Sequence, residues 1–274
     1  MSTSIEFALN HIAAPKLTAP RFFALARTLG LTNVEMRNDL VGVPTADGTP
    51  AEEVRKAAQA QGVTILTINA LQRFNEWNDR RAGEAREVAR YAKACGAQAL
   101  VLVPVNDASF RPTDRERRDG LRGALRHLMP ILVENELRGF VEPLGFPISS
   151  LRLKREAVEA IDAIDGESVF HLVHDTFHHH LAGETVLFPE RTGICHISGV
   201  IEHALSLTSL QDAHRVLVGE ADILGNVAQI KALLAGGYKG VFSFEPFAES
   251  VQRASDLKEK LEASMGYIAK GLAR

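Results

Sequence analysis

The sequence predicts a single-domain α/β fold, a closed (β/α)8 TIM barrel over residues 1–274. Three observations predict it. Eight short apolar runs alternate with helical patterns, which implies parallel βαβ units with right-handed crossovers. The length of 274 residues suits a barrel, which takes about 250. An open doubly wound sheet would usually carry a glycine-rich phosphate loop after an early strand, and NHIAAPKL after the first run contains no glycine.

The strand candidates are IEFAL (5–9), NVEMR (33–37), VTILTIN (63–69), ALVLVP (99–104), RGFVEP (138–143), VFHLVH (169–174), GICHIS (193–198) and GVFSFEP (240–246). Runs of this length, mostly aliphatic, read as strands buried on both faces. Between them lie segments with apolar residues at helical spacing. LTAPRFFALARTLG ends at Gly30 and TPAEEVRKAAQAQG at Gly62, each a helix stop; the second also opens with Thr-Pro and two acids, a helix start. GEAREVARYAKACG, RDGLRGALRHLMPILVENE, SSLRLKREAVEAIDAID, NVAQIKALLAGG and the closing SDLKEKLEASMGYIAKGLAR behave alike.

Composition narrows the function classes. The chain is 46% apolar and 24% charged, with net charge −3 and a pI near 6.4, so it has no overall attraction for nucleic acid or an anionic membrane. The most basic stretch, Arg111 to Leu128, interleaves Asp114, Glu116 and Asp119 and reads as a solvated helix face. No apolar stretch approaches the ~18 residues of a membrane span, and the N-terminus does not read as a signal peptide. Two cysteines, Cys95 and Cys195, without a CxxC pair fit a reducing cytoplasm, and Cys195 reads as a small buried residue.

In such a barrel the active site forms at the C-terminal ends of the strands. Strand five ends in Glu142, strand six in Asp175, strand seven carries His196 and strand eight ends in Glu245. Four consecutive strands thus send two Glu, one Asp and one His to one rim. This oxygen-rich set suits one divalent ion, Mn²⁺, Mg²⁺, Co²⁺ or Zn²⁺, with room left for substrate oxygens. No organic cofactor is called for. Asn10, His11, Arg37, Asn69, Phe74 and Trp77 also fall at the rim, where amides bond sugar hydroxyls and aromatic rings stack on sugar rings; of these, Asn69 and Trp77 are the candidate substrate contacts.

The segments LTINALQRFNEWNDR (66–80), VEPLGF (141–146), HDTFHHHLAG (174–183), CHISG (195–199), HRVLVGEAD (214–222) and GGYKGVFSFEPF (236–247) resemble the xylose isomerase-like TIM barrels of the sugar phosphate isomerase/epimerase superfamily, and most closely the inosose (2-keto-myo-inositol) isomerase group. The resemblance implies the same ligand set, Glu142, Asp175, His196 and Glu245. It further implies that His178 and Arg215 contact substrate, that Glu142 and Glu245 are the acid/base pair, and that a ketone moves to its neighbouring carbon through an enediolate held by the ion. The substrate would be a sugar or inosose of inositol catabolism, and the assembly a homodimer. A ketose 3-epimerase, a hydroxypyruvate isomerase and a non-catalytic sugar sensor are the alternatives; an apurinic endonuclease would need more rim histidines and a basic face. The chain departs from the family pattern RVxPGxG at Val218 and Ala221, and carries Ser198 where relatives often have an acid. Alternation turns His174 away from Asp175, a structural position; His179 reads as packing and His180 as support behind the site.

Overall fold

The computed structural model describes residues 5–40 and 46–274. Eight parallel strands pair in sequence order, and β1 pairs with β8 to close the barrel. They are β1 (Phe7–Asn10), β2 (Asn33–Arg37), β3 (Thr64–Gln72), β4 (Ala99–Val103), β5 (Arg138–Val141), β6 (Phe170–Asp175), β7 (Thr192–Ile197) and β8 (Phe242–Phe244). Each expected run holds one strand. β3 continues to Gln72, past the expected end at Asn69, whereas β8 is only three residues long.

The helices are α1 (Ala19–Thr28), α2 (Ala51–Gln61), α3 (Asp79–Cys95), α4 (Asp114–Glu134), α5 (Lys154–Asp162), α6 (Thr176–Ala182), α7 (Asn226–Ala235), α8 (Glu249–Gln252) and α9 (Leu257–Leu272). Local chemistry sets their ends. Thr113 and Glu116 form a reciprocal capping box on α4, and the Asn78 side chain accepts from Arg81 N to start α3. Gly62 closes α2 in the left-handed region that its missing Cβ permits (φ 62°). The basic stretch is the exposed part of α4, with Arg115–Asp119 and Arg122–Asp119 ion pairs on its surface. No helix among the described residues is long and apolar enough to cross a membrane.

Pleat alternation sorts each strand into two sets. Leu100, Leu102, Val141, Leu172 and Cys195 belong to the large core between strands and helices. Val101, Phe140, Val173 and Ile194 face the barrel axis as a separate apolar cluster. Two residues further along β5, β6 and β7, on the same inward face, stand Glu142, Asp175 and His196. The apolar layer therefore floors a polar one.

Candidate metal centre

Glu142, Asp175, His196 and Glu245 are all buried, and each offers a ligand atom within 4.8 Å of the others. Backbone pairing sets this: Asp175 lies beside His196 in the β6–β7 register, and the backbone N of Glu245 donates to Ile197 O of β7. The two Asp175 oxygens divide their work. Oδ1 accepts from His178 N and caps α6, while Oδ2 accepts from Arg215 Nη2 at 2.5 Å.

His196 is the hub. Its Nδ1 lies 3.0 Å from Glu142 Oε1, 3.2 Å from Glu245 Oε2 and 3.9 Å from Asp175 Oδ2. Its Nε2 lies 3.1 Å from Glu35 Oε2. Burial pulls the imidazole toward neutrality, but Glu245, Glu35 and Glu142 outweigh it and hold the pKa well above its usual value. The Nδ1 proton therefore occupies a place surrounded by three carboxylates, the setting a divalent cation prefers. With Glu35 taking the Nε2 proton, Nδ1 is free to present its lone pair to an ion in exchange for that proton. The donor set fits a divalent metal.

Glu35 was not among the expected site residues. It is fully buried on β2, across the barrel from the four ligands. It accepts from Thr67 Oγ1 (2.6 Å), Asn69 Nδ2 (3.0 Å) and Asn10 Nδ2 (3.3 Å) besides His196. Burial alone would raise its carboxyl; the His196 charge and hydrogen bond bring it down to about 2. The β2–β3 register slips between Val34 and Glu35, at the approach to this residue. The signal in the sequence was an acid flanked by Val34 and Met36 in the middle of a buried strand.

The two outer carboxylates differ. Glu245 accepts from Arg37 Nη1 (2.8 Å) and Asn10 Nδ2 (3.3 Å) on one oxygen and from Arg215 Nη2 (3.0 Å) on the other. Burial opposes its ionisation, but His196, Arg215 and Arg37 hold it well below the usual carboxylate range. Glu142 has His196 as its hydrogen-bond partner, and burial, with Glu245 and Asp175 nearby, pushes it above that range.

A cavity of about 190 Å³ opens over these groups. Glu142, Glu245, His178, Arg215 and Asn69 all line it, with Phe146 and Phe247 as aromatic walls. His178 is buried and its Nδ1 has no protein partner. Gly145 lets the loop after Glu142 lie on α6, since a Cβ there would come within 2.3 Å of His178 O. Arg215 is clasped between the rings of Phe177 and Phe247, 5.1 and 4.8 Å from their centroids. Asn69 reaches the cavity with its amide already donating to Glu35 and Thr67.

Trp77 requires a correction. It is not among the lining residues; its ring stacks on His127 of α4 with centroids 5.5 Å apart. The wall it was expected to form is supplied by Phe146 and Phe247. The other histidines of HDTFHHHLAG (174–183) pack away from the cavity. Lys154 Nζ, buried at the start of α5, lies 2.9 Å from His174 Nδ1 and 3.0 Å from His179 Nδ1. His174 Nε2 bonds Gln229 of α7, and His180 is half-buried at the end of α6. Cys195 is fully buried, and burial pushes its thiol up, so it offers no nucleophile.

Comparisons agree with this geometry. The family model described as xylose isomerase-like TIM barrel matches residues 23–270. A xylose isomerase domain containing protein from Salmonella typhimurium LT2 superposes with a TM-score of 0.89 at 31% identity, covering 99% of this chain and all of that one. The IOLI protein, whose structure holds a zinc atom, gives 0.85 at 18% identity over 97% and 98% of the two chains. D-psicose 3-epimerase with D-tagatose, from Clostridium cellulolyticum H10, gives 0.76 at 12% identity over 98% and 99%. A search of curated proteins returned no match.

Proposed function

The chain belongs to the xylose isomerase-like TIM barrel family, and on that premise we propose that it is a divalent-metal-dependent isomerase or epimerase of keto-polyols, acting on an inosose of the 2-keto-myo-inositol type. One observation carries the reading: a Glu, Asp, His, Glu set, with ligand atoms within 4.8 Å of one another, sits at a cavity of about 190 Å³. That volume lies below the ~300–1,000 Å³ of pockets for drug-sized ligands and suits a small polyol.

A bound divalent ion would supply Lewis-acid polarisation of the ketone and hold the neighbouring hydroxyl. Glu142, Asp175, His196 and Glu245 would hold it. Glu142 takes the proton from the carbon beside the ketone. Glu245, after β8, is its partner: it takes up a proton from water and returns it at the neighbouring carbon or the opposite face. His178 lines the cavity and would contact the substrate oxygens, and the Arg215 charge stabilises the negative charge that develops there. Asn69 contributes through the order it imposes on Glu35. A place in inositol catabolism, a cytoplasmic location, a homodimeric state and the absence of a nucleic-acid partner are parts of the same proposal.

Proton NMR in D₂O tests it. Mn²⁺-loaded protein is given a panel of ketoses and inososes that includes 2-keto-myo-inositol, with Glu245→Gln as the control. Deuterium should enter at the α-carbon as product forms, and fail to enter in the control. Absence of exchange across the panel from metal-loaded protein would sink the enzyme reading in favour of sugar binding alone.

A further inference from the structure

The two arginines of the cavity are the groups that would ordinarily take a phosphate or carboxylate. Neither is free. Arg37 turns one edge inward, where Nη1 donates to Glu245 Oε1 and Asn10 Oδ1. Its outer edge is closed by Asp39, which accepts from Nε at 2.7 Å and from Nη2 at 2.8 Å. Arg215 donates from Nη2 to Asp175 and Glu245, from Nε to Ser198 Oγ, and from Nη1 to Asp212 Oδ1 at 3.2 Å. Every guanidinium nitrogen of the pair thus has a protein acceptor, and Phe247 covers a face of each. Arg37 and Arg215 are the only Lys or Arg among the described lining residues, and residues 1–4 and 41–45 contain neither type.

Asp39 and Asp212 are not part of the ligand set. Both line the cavity on its outer side, with side chains 26% and 44% exposed. Their position does one thing: each neutralises the outward face of an arginine whose inward face already serves a metal-set carboxylate. Apart from the ion itself, an anionic substituent on the substrate would find no unspent cation in the lining and two like charges at its outer side.

We infer that Asp39 and Asp212 are specificity residues that restrict this site to uncharged polyol ketones and exclude phosphorylated and carboxylated sugars. This rests on the keto-polyol reading above and deepens it, since it sets aside hydroxypyruvate and sugar phosphates as substrates. Replacing either aspartate by asparagine keeps an acceptor for the arginine while releasing its charge toward the cavity.

The test is binding, not turnover. Isothermal titration of Mn²⁺-loaded protein uses unreactive D-glucitol, D-glucitol 6-phosphate and inorganic phosphate, on the native chain and on the double variant Asp39→Asn/Asp212→Asn, with melting curves to confirm that both are folded. The native protein should bind glucitol at least about tenfold more tightly than its phosphate, and the double variant should narrow or reverse that ratio by about tenfold through tighter binding of the ester. A native protein that prefers the ester, or whose glucitol is displaced by inorganic phosphate, overturns the inference, as does an unchanged ratio in the variant. A native protein that binds neither glucitol nor its ester overturns the keto-polyol reading and this inference with it.

Discussion

Two buried polar clusters stand back to back on β6, separated by one peptide bond. Asp175 points into the barrel, where the His196 imidazolium sits among carboxylates. His174 points out toward the helices, where the Lys154 ammonium sits between two imidazoles and His174 reaches on to Gln229. Each places a positive charge amid acceptors in a region closed to water. They differ in what can replace that charge. The inner one is a proton beneath a cavity, exchangeable for an ion. The outer one is tethered to the backbone of α5 and 4% exposed. The histidine-rich string therefore divides at the end of β6: Asp175 and, a turn into α6, His178 belong to the cavity side, while His174 and His179 join α5, α6 and α7 to the strand.

Substitutions can break that contrast. The largest effect should come from Glu142→Gln, which removes the basic carboxylate and should lower turnover by about 10²–10⁴-fold with the fold intact by circular dichroism. Metal should stabilise the native protein by about 2.7 kcal/mol at a hundredfold excess over its Kd, read as a rise in Tm that chelation reverses. Lys154→Met leaves two buried imidazoles without their donor and should cost about 1–3 kcal/mol of stability, yet leave metal affinity unchanged. A matching loss of metal affinity would show that the two clusters are one. Glu35→Gln should do the reverse, weakening metal binding by about 10–100-fold by titration with a competing chelator, with the smaller change in Tm.

A separate effect lies in the pH profile. Burial and Lys154 lower the His179 pKa to about 3. The unfolded chain takes up that proton near pH 6.5, the folded chain only near 3. Stability is thus full above 6.5 and declines as pH falls between the two values. His179→Gln should flatten this part of the Tm-against-pH curve; a native curve that is flat from 6.5 to 4 would remove the effect.

What the sequence disclosed follows from how local each signal is. Strand and helix alternation is a short-range pattern, and Glu142, Asp175, His196 and Glu245 each lie at the end of an apolar run, so their convergence was readable without knowing which residues meet. Glu35 was hidden because its role depends on a partner, His196, 161 residues further along the chain and on a strand that β2 does not touch. Asp39 and Asp212 were hidden for the same reason: an acid in a loop has no meaning until an arginine is seen beneath it. Trp77 shows the converse error. A lone tryptophan after a strand end looked like a wall for a sugar ring, but the peptide turns it onto α4, and Phe146 and Phe247, ordinary in sequence, took that place.

The bond from His196 to Glu35 joins the half of the ring that carries all four proposed ligands to the half that carries none. A chain severed between β4 and β5 would keep every ligand in its C-terminal fragment and still lack the carboxylate that orients the imidazole. Neither fragment alone would take up metal as the whole does, and mixing them should restore uptake only as the two halves associate. Metal affinity would then report on closure of the ring, since the carboxylate that orients the imidazole arrives only with β2.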